Sequence, residues 1–550
     1  MAENLSALSG RQGLDNNLFE KMVAGARENG SPDNQLLRDL AEEFLMGKAI
    51  TYGAASFYDF LKPDHQGKKV HVCNGSACML AGTQDSIHEK LGTHFKEEEI
   101  GHMCCLGRCY ENGAFQLNGQ NYSGDDIEKV AEYISDRGEN DSSYVIKSKL
   151  STPVLTGEAL TIEAYASLFR KVITAGADGA LAEIKASNIR GRGGAGFPMG
   201  VKIESCKNTP AGQKYIVCNA DEGDPGAFSD RYLLEEQPLS VLFGMLTAGY
   251  IAGASRGVLY IRGEYPESVR VVKKAIEALA AAGLQGEDIL GSGFDFRFKI
   301  IEGAGAYVCG EETALLSSIE GQRPEVRIRP PYPTQEGLFN KPTIVNNVET
   351  LAAIPFIIRA GGKAYAAYGT GKSTGTKLVS LDSFFNHPGM VEVEMGIPFK
   401  ELIYGIGGGF KSPVKALHVG GPLGGIVPVH KIADLTLDFE SFQQQGFLLG
   451  HAGIVSVPED YPMINYLEHL FDFTAVESCG KCFPCSIGSV RGREMMAAAA
   501  EDAVKIDRQL LDDLLETMEV GSLCALGGGL PLGVNNALQY FEDELKQYFK

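Results

Sequence analysis

The sequence predicts a multidomain α/β protein. Its 550 residues are enough for about three or four domains with sizeable cores. Between residues 160 and 375, strand-like segments such as KYIVCNA and GVLYIRG alternate with helix-like segments such as PESVRVVKKAIEALAAAG, a pattern typical of α/β domains. The segments on either side differ in pattern from this stretch, which indicates additional domains.

The pattern divides the chain into six segments. NQLLRDLAEEFLMG is amphipathic, KKVHVC is strand-like before a helical TQDSIHEKLGTHF, and TKLVSLDSF, GMVEVEMG and KALHVGG are strand-rich. RGENDSSYVIKSKLSTP has the composition of a linker. We therefore expect a helical region at 1–62, a small α/β unit at 63–140, a linker at 141–159, a larger α/β domain at 160–375, a β-rich domain at 376–438 and a helical domain at 439–550.

Composition excludes several classes of protein. The net charge is −20, which argues against a nucleic-acid-binding protein. The apolar stretch VLFGMLTAGYIAGAS is too short and too rich in glycine to span a membrane, and MAENLSALSGRQGLDNN lacks the pattern of a signal peptide. Twelve cysteines among 550 residues are too few for a disulfide scaffold. We expect a cytoplasmic protein without membrane insertion, in which clustered cysteines bind metal.

The C-terminal cysteines are the sharpest metal signal. ESCGKCFPC places Cys479, Cys482 and Cys485 on one tight loop, and Cys524 follows about forty residues later. Three thiolates on a loop with one remote thiolate are typical of a [4Fe–4S] cluster. Structural zinc also takes four thiolates but usually in two CxxC pairs. The spacing favours iron–sulfur and leaves zinc as the alternative.

A second cysteine set lies near the N-terminus. Cys73 and Cys78 are separated by four residues, and Cys105 and Cys109 by three. Two pairs of thiolates can hold a [2Fe–2S] cluster, one pair per iron. Zinc ribbons favour CxxC spacing, which neither pair has. Spacing again favours iron, with zinc still open.

A glycine-rich loop follows the helical segment GALAEIKASN. RGRGGAGFPMGVK matches G-x-G-x-x-G at Gly191, Gly193 and Gly196, but the dinucleotide fingerprint requires a preceding strand. The open backbone N–H groups still suit a phosphate or a flat ring, and Arg192 and Lys202 supply charge. The alternative for each basic residue is a solvated surface position.

Two further polar stretches follow predicted strands, and a third opens a predicted helix. They are CNADEGDPGAFSD with Asn219, Asp221, Glu222 and Asp224, GAYVCGEETALL with Glu311 and Glu312, and VNNVET with Asn346, Asn347 and Thr350. In an α/β sheet such residues gather at the carboxyl ends of strands, where nucleotides bind. Acidic residues in the first turn of a helix also simply complement its dipole. Each stretch by itself is therefore a modest signal.

Together these motifs identify a family resemblance. The chain resembles the NADH-oxidising flavoprotein subunit of respiratory complex I with the smaller [2Fe–2S] subunit of that enzyme joined to its N-terminus, as in diaphorase subunits of NAD-dependent hydrogenases. RGRGGAGFP, CNADEGDPGAF, GAYVCGEETAL, VNNVET and ESCGKCFPC carry the likeness, and YGAASFY with CLGRC matches the thioredoxin-like [2Fe–2S] domain. The resemblance implies a thioredoxin-like [2Fe–2S] domain, a Rossmann-like FMN/NADH domain, a ubiquitin-like β-grasp domain and a C-terminal helical bundle with a [4Fe–4S] cluster.

The resemblance also implies the roles of individual residues. The cofactors would be FMN, NAD(H), one [4Fe–4S] and one [2Fe–2S] cluster, and Glu312 and Asp224 would position the nicotinamide. Phe197 and Tyr332 would face the adenine. The FMN site would comprise Gly191, Arg192, Gly193, Gly196, Lys202, Asn219, Asp221, Glu222, Tyr307, Gly310, Glu311, Asn346, Asn347 and Thr350. The cluster ligands would be Cys73, Cys78, Cys105 and Cys109, and Cys479, Cys482, Cys485 and Cys524, while Cys104 packs as a small buried thiol.

Two positions depart from the family pattern. Asp224 stands where glutamate is usual, so its side chain is one methylene shorter. An aromatic residue often found after GFPxGxK is absent, and Ile203, Glu204 and Ser205 follow instead. Both departures concern the geometry and affinity of the nicotinamide nucleotide, not the reaction.

The expected function is that of an NADH-oxidising subunit. Hydride would pass from NADH to FMN, and single electrons would pass through the clusters to other redox subunits of a hydrogenase, formate dehydrogenase or complex I-like assembly. A cluster-bearing scaffold without flavin turnover is one alternative. A stand-alone NADH:acceptor reductase is another, although the sequence offers no second substrate motif.

Overall fold

The N-terminal region is helical and packs on the larger α/β domain. The computed structural model describes residues 13–29, 31–136, 144 and 146–550, so the predicted start at residue 1 and the domain boundary at 140/141 lie outside the described residues. The helices are α1 (Leu18–Asn29), α2 (Asn34–Glu43) and α3 (Lys48–Ala55). The Asn17 side chain donates to the Ile319 carbonyl at 2.7 Å, and the Tyr58 hydroxyl donates to Ser318 at 2.8 Å. These contacts join the N-terminal region to the larger α/β domain.

The small α/β unit carries a four-stranded sheet of order β2-β1-β3-β4. Its elements are β1 (Val70–Cys73), α4 (Ser76–Leu80), α5 (Gln84–Leu91), β2 (Ile100–Met103), β3 (Phe115–Leu117), β4 (Gln120–Tyr122) and α6 (Val130–Ser135). Strand β1 is parallel to β2 and antiparallel to β3. Val70 and Val72 pack with Phe115 and Leu117 in its core. Cys73 ends β1, and the CCLGRC segment follows β2, so the sheet brings the two cysteine pairs to one edge.

The segment expected to be a linker contributes a strand. β5 (Ile146–Ser148) pairs in parallel with a strand of the β-rich domain. The Glu392 carboxylate accepts backbone N–H groups of Val154, Leu155 and Thr156. This part of the segment is therefore bound to the folded body, which its polar composition does not reveal.

The larger α/β domain is built on a parallel sheet of order β8-β7-β6-β9. From β6 the chain moves outward to β7 and β8 and then returns to place β9 on the other side of β6. That reversal makes the crevice between β6 and β9 a topological switch point, where ligands bind in such sheets. The elements are α7 (Ile162–Ser187), α8 (Met199–Asn208), β6 (Tyr215–Ala220), α9 (Ser229–Glu236), α10 (Pro238–Ala252), β7 (Arg256–Ile261), α11 (Pro266–Ala281), β8 (Arg297–Glu302), α12 (Glu312–Ile319), β9 (Thr343–Asn347), α13 (Val348–Ala352), α14 (Ile354–Ala360) and α15 (Gly362–Ala366).

The β-rich domain has a mixed sheet of order β13-β12-β14-β10-β11-β5. Its elements are β10 (Thr376–Leu381), β11 (Gly389–Glu394), β12 (Val414–Val419), β13 (Gly425–Pro428), α16 (Phe439–Gln444) and β14 (Gly453–Pro458). The first strand, β10, is parallel to the last, β14, as expected for a ubiquitin-like β-grasp unit. Helices alone were expected after residue 439, and this was wrong for β14, whose buried GIVSVP segment lies in the middle of the sheet.

The C-terminal part is helical. Its helices are α17 (Met463–Glu477), α18 (Phe483–Ala500), α19 (Arg508–Gly521), α20 (Ala525–Tyr540) and α21 (Glu542–Leu545). Cys479 and Cys482 lie between α17 and α18, Cys485 lies in the first turn of α18, and Cys524 directly precedes α20. Within the described residues, every helix is too short or too polar to cross a bilayer.

Candidate functional site: a polar cavity between two cysteine sets

A cavity of about 210 Å³ lies at the carboxyl ends of β6 and β9. Ten of the residues implied by the family resemblance line it: Arg192, Gly193, Asn219, Asp221, Glu222, Asp224, Tyr307, Gly310, Glu311 and Asn347. Gly191, Gly196, Phe197, Lys202, Glu312, Tyr332, Asn346 and Thr350 are outside this lining. The sheet topology thus brings four separate sequence motifs to one crevice.

The glycine-rich loop closes one side of the cavity. Its backbone folds back on itself, because Gly191 N–H donates to the Phe197 carbonyl at 2.9 Å. A Cβ at Gly193 would lie 3.0 Å from Cβ of Asn347, so glycine permits the close approach of loop and strand. Arg192 is buried, and its guanidinium donates to the carbonyls of Thr374 and Thr376. Its side chain therefore binds the β-rich domain, and its contribution to the cavity is mostly backbone.

The VNNVET motif ends β9 and begins α13. Asn347 caps α13 by accepting the Thr350 N–H at 3.3 Å and donates to Asp230 at 2.6 Å. The Thr350 hydroxyl accepts the Arg192 N–H at 2.9 Å. Nδ2 of Asn346 is buried and has no hydrogen-bond partner among the described atoms. An unmatched buried amide donor is costly, and a bound cofactor with acceptor atoms would satisfy it.

The DEGDPG loop supplies three of the six acidic residues that line the cavity. Burial raises the pKa of Asp221 well above its usual value, with the Arg262 guanidinium 3.8 Å away acting in the opposite direction. Glu222 accepts the N–H groups of Asp230 and Arg231 at 2.9 and 3.1 Å, which caps α9. This carboxylate has a structural partner, which the motif alone did not show.

Asp224 is held from two sides. Its Oδ1 accepts the Tyr307 hydroxyl at 2.6 Å, and its Oδ2 lies 2.7 Å from Nε2 of His451. Burial would raise the pKa of Asp224, but His451 and Tyr307 outweigh it and hold the pKa below its usual value. The side chain is therefore a fixed anion at the cavity wall.

The two glutamates of GEET have different surroundings. Glu311 caps α12 by accepting the N–H groups of Thr313 and Ala314, both at 2.9 Å. Glu312 points away from the cavity lining, where Oε2 lies 3.3 Å from Lys202 Nζ and Oε1 lies 3.0 Å from Arg329 Nη1. Phe197 is 50% exposed and Tyr332 is 55% exposed. Glu312, Lys202, Phe197 and Tyr332 therefore all lie outside the cavity lining.

The C-terminal cysteines lie together beside the cavity. Burial, together with neighbouring Cys482 and Cys479, raises the pKa of Cys485 to about 11, although the hydrogen bond with Ser478 acts in the opposite direction. Burial likewise raises the pKa of Cys524 to about 12, with Glu311, Cys479 and Cys485 as charged neighbours. Because neutral thiols are so strongly favoured here, ligation to a cation would be needed to hold these groups as thiolates. Cys524 itself lines the cavity.

The N-terminal cysteines also form one group. Sγ of Cys105 lies 3.3 Å from Sγ of Cys109. The hydrogen bond with Cys109 lowers the pKa of Cys105, but the bond with Cys73 and burial raise it to about 12. Cys104 was expected to be a buried thiol but is only half-buried, and it borders both sets: it packs against the core that contains Cys105 and Cys109 and against the cluster that contains Cys479. The described residues contain no group of three or more His, Cys, Asp or Glu side chains arranged to hold a single metal ion.

Backbone of the nucleotide-binding domain reaches the N-terminal cysteine set. Gly226 N–H donates to Sγ of Cys109 at 3.2 Å. Arg262 donates to the carbonyls of Cys104 and Cys105 at 2.6 and 2.8 Å. The loop that carries Asp221 and Asp224 into the cavity thus also contacts a cluster cysteine, just before α9 begins.

Sequence reasoning missed several residues of this site. Gly226 and Arg262 join the [2Fe–2S] cysteines to the cavity loop, and Leu423 and His451 enter the cavity from the β-rich domain. Asp224 could have suggested a basic partner, but no sequence motif indicates that His451 supplies it.

Comparison with known proteins decides the family. The model described as the thioredoxin-like [2Fe–2S] ferredoxin matches residues 12–137, the Nuo51 FMN-binding domain matches 184–356, and the NADH-ubiquinone oxidoreductase-F iron–sulfur binding region matches 465–548. The NADP-reducing hydrogenase subunit HndC of Solidesulfovibrio fructosivorans is 44% identical over 66% of this chain and 75% of its own length. The chain belongs to the family of complex I-type NADH-binding flavoprotein subunits.

Two further proteins also match this chain over most of its length. The mitochondrial NADH dehydrogenase [ubiquinone] flavoprotein 1 of Dictyostelium discoideum is 37% identical over 69% of this chain and 81% of that protein. A chain of the NAD⁺-reducing [NiFe]-hydrogenase in its H₂-reduced state matches with a TM-score of 0.84 and 27% identity, over 97% of this chain and 94% of that one. The last match spans the N-terminal unit too, so the fused arrangement expected from the sequence is confirmed.

The residues present fit the cofactors of the family. The close approach at Gly193 and the polar groups that four motifs contribute to the wall suit a flat cofactor in the cavity. Two sets of four cysteines suit clusters. The protein is an FMN- and iron–sulfur-containing NADH oxidoreductase subunit with a [2Fe–2S] and a [4Fe–4S] binding region.

Proposed function

We propose that this chain is the NADH-oxidising, electron-input subunit of a larger cytoplasmic redox assembly whose next member is an iron–sulfur subunit. One observation carries the proposal: Cys524 of the [4Fe–4S] set forms part of the cavity that also contains Asn219, Asp221 and Asn347. The site for two-electron chemistry and a site for one-electron chemistry therefore share a wall. When bound, FMN accepts a hydride and the clusters accept single electrons.

In this proposal the side chains of the protein bind the cofactors, orient them and shield them from water. Asn219 donates to the Gly310 carbonyl at 2.7 Å, which keeps the two cofactor loops together. Asn346 offers its free amide to the cofactor, and Asp224 presents a fixed negative charge. In this proposal Glu312, Lys202, Phe197 and Tyr332 contact the nucleotide outside the cavity, and the two cysteine sets of four named above are the cluster ligands.

The test follows electrons from NADH into the C-terminal cluster. Holoprotein containing FMN and iron is mixed with NADH, and flavin absorbance and the paramagnetic signal of the [4Fe–4S] cluster are recorded. We expect Cys524→Ser to retain flavin bleaching but to lose or alter the cluster signal, whereas Cys206→Ser, a buried cysteine outside both sets, leaves both unchanged. Holoprotein that binds FMN and leaves NADH unoxidised would support the scaffold alternative instead.

We assign the exit for electrons to the surface around the C-terminal cysteines. Phe483 is 74% exposed and Val520 is 81% exposed, and Val476, Ile487 and Leu523 are exposed around them. A Cβ at Gly521 would lie 2.8 Å from the Pro484 ring, so the end of α19 adjoins the start of α18. Exposed apolar side chains around an electron carrier favour a docking surface, and the occupant we propose is the next iron–sulfur subunit.

Amide hydrogen exchange locates this surface. The native assembly is compared with the isolated holoprotein, and we expect slower exchange in residues 476–487 and 520–524. Helix α11, which lies in the nucleotide-binding domain, serves as the internal control. Protection confined to other surfaces would refute the assignment.

A further inference from the structure

His451 enters the cavity from the β-rich domain. It lies in the GHAG loop that leads into β14 and lines the cavity together with Asp224. The loop reaches this position because Gly450 and Gly420 pack closely: a Cβ at Gly450 would lie 2.6 Å from Cα of Gly420. His451 is thus a buried polar group in the cavity that is not among the residues implied by the family motifs.

The contacts of the His451 ring show which of its two nitrogens carries the hydrogen. Gly453 N–H donates to Nδ1 of His451 at 3.0 Å, so the neutral ring carries its hydrogen on Nε2. Nε2 lies 2.7 Å from Oδ2 of Asp224. Burial lowers the pKa of His451, but the two groups form a close ion pair that raises it overall. The N–H is nevertheless not aligned with Oδ2 as a hydrogen bond requires, and no other described atom accepts it. A buried ring N–H beside the carboxylate therefore remains to be satisfied by a ligand.

Asp224 and His451 together offer one acceptor and one donor. The Tyr307 hydroxyl and the close approach of Gly421, where a Cβ would lie 2.4 Å from Oδ1, restrain the carboxylate. A primary carboxamide presents the complementary pair, an NH₂ donor beside a carbonyl acceptor. The nicotinamide ring of NADH carries such a carboxamide. Asp224 is also shorter than the glutamate usual in the family, so a neighbouring donor completes a site that the aspartate alone would only half match.

We propose that His451 is a specificity-determining residue that donates from Nε2 to the carboxamide carbonyl of the nicotinamide, while Asp224 accepts from the carboxamide NH₂. This inference rests on the proposed function, because it requires the nicotinamide to enter this cavity. It gives the β-rich domain a direct part in substrate recognition.

Equilibrium binding to FMN-loaded holoprotein tests the proposal. Dissociation constants of NAD⁺ and of ADP-ribose, which lacks the nicotinamide, are measured from the perturbation of flavin absorbance. We expect His451→Phe to weaken NAD⁺ binding about tenfold, the size of one lost hydrogen bond, and to change ADP-ribose binding less than about twofold. His451→Gln, which keeps an N–H donor, should restore most of the NAD⁺ affinity, and His430→Phe at an exposed position should change neither.

An NAD⁺ analogue with sulfur in place of the carboxamide oxygen tests the contact of His451 with that oxygen separately. Thionicotinamide adenine dinucleotide has a weaker acceptor at this atom, so wild type should bind it less tightly than NAD⁺, and His451→Phe should bind the two alike. Unchanged NAD⁺ affinity in His451→Phe, or an equal loss for NAD⁺ and ADP-ribose, would overturn the proposal. Wild-type protein that binds neither ligand would instead overturn the proposed function.

Discussion

At the level of single residues, carboxylates that look alike in sequence have different partners. Glu222 and Glu311 accept backbone N–H groups at the starts of α9 and α12, as helix caps do. Asp221 and Asp224 line the cavity together with these two glutamates, but their charged partners are side chains, Arg262 for Asp221 and His451 for Asp224. A cap and a ligand-binding carboxylate have the same one-letter pattern, because both occur at the carboxyl end of a strand where a helix begins.

Glu312 gives a prediction at this scale. It lies between Lys202 and Arg329, outside the cavity, so Glu312→Gln should slow NADH oxidation and leave FMN retention unchanged. Displacing a hydride donor by about 1 Å costs on the order of a hundredfold in rate, and we expect a loss of about tenfold or more, measured with NADH and a one-electron acceptor.

Glu302→Gln is the matched control. Glu302 also lies between two cations, Arg27 and Lys273, but at the place where helix α1 contacts the larger α/β domain. It should have no effect on NADH oxidation. A Glu312→Gln protein that oxidises NADH normally but loses FMN would show that the assigned role is wrong.

At the level of elements, the loop after β2 presents two adjacent cysteines to one cluster site. Cys105 takes part in the sulfur contacts: its Sγ lies 3.3 Å from that of Cys109 and accepts the Gly107 N–H at 3.4 Å. Cys104 borders both cysteine sets. The sulfur contacts of Cys105 agree with the spacing argument from neighbouring side chains that point to opposite faces.

Paramagnetic resonance of the dithionite-reduced holoprotein separates the two residues. We predict that Cys105→Ser abolishes or shifts the [2Fe–2S] signal, because a thiolate ligand is lost. Cys104→Ser should leave that signal nearly unchanged and serves as the adjacent-residue control. The opposite pattern would place the ligand register one residue earlier.

At the level of the whole molecule, the β-rich domain joins the cavity to the C-terminal helices. His418 of β12 is buried, and its Nδ1 and Nε2 pair with the Tyr466 hydroxyl of α17 at 2.7 Å and with the Gly424 carbonyl at 3.2 Å. Burial lowers the pKa of His418 to about 4, although the bond to Gly424 acts in the opposite direction. This contact orients the domain that carries His451 and Leu423 into the cavity.

The lowered pKa predicts a dependence of stability on pH. The folded state favours neutral His418, so as pH falls below about 6.5 the unfolded chain gains a proton first and stability is lost down to about pH 4. Between pH 8 and pH 5 this proton uptake lowers the free energy of unfolding by roughly 2 kcal/mol. His418→Gln should be less stable at pH 8, and its deficit should shrink towards pH 5, as measured by denaturant unfolding of the holoprotein. His430→Gln is the exposed control, and a deficit of His418→Gln that is constant with pH would refute the mechanism.

The motifs identified the family because their information is local. Cysteine spacing and short polar stretches are features of a few consecutive residues, and FMN, NADH, the clusters and the fused arrangement follow from the resemblance that they carry. Ten of the predicted residues line one cavity, and the roles of the individual residues stay predictions. The expected helix at β14 was wrong because an apolar run of six residues fits either structure until its neighbours are known. The strand at β5 was missed for a different reason, because its three residues lie in a polar segment with the composition of a linker.

The sequence by itself determined which chemical groups and which cofactors belong to this protein. Only the tertiary structure decided which of those groups contact one another. Gly226 and Cys109 are 117 residues apart in the chain and form one hydrogen bond. His451 meets Asp224 because a separate domain folds over the sheet edge. Contacts of this kind depend on how whole domains pack, and packing is set by buried surfaces of many residues together. No short stretch of sequence contains that information.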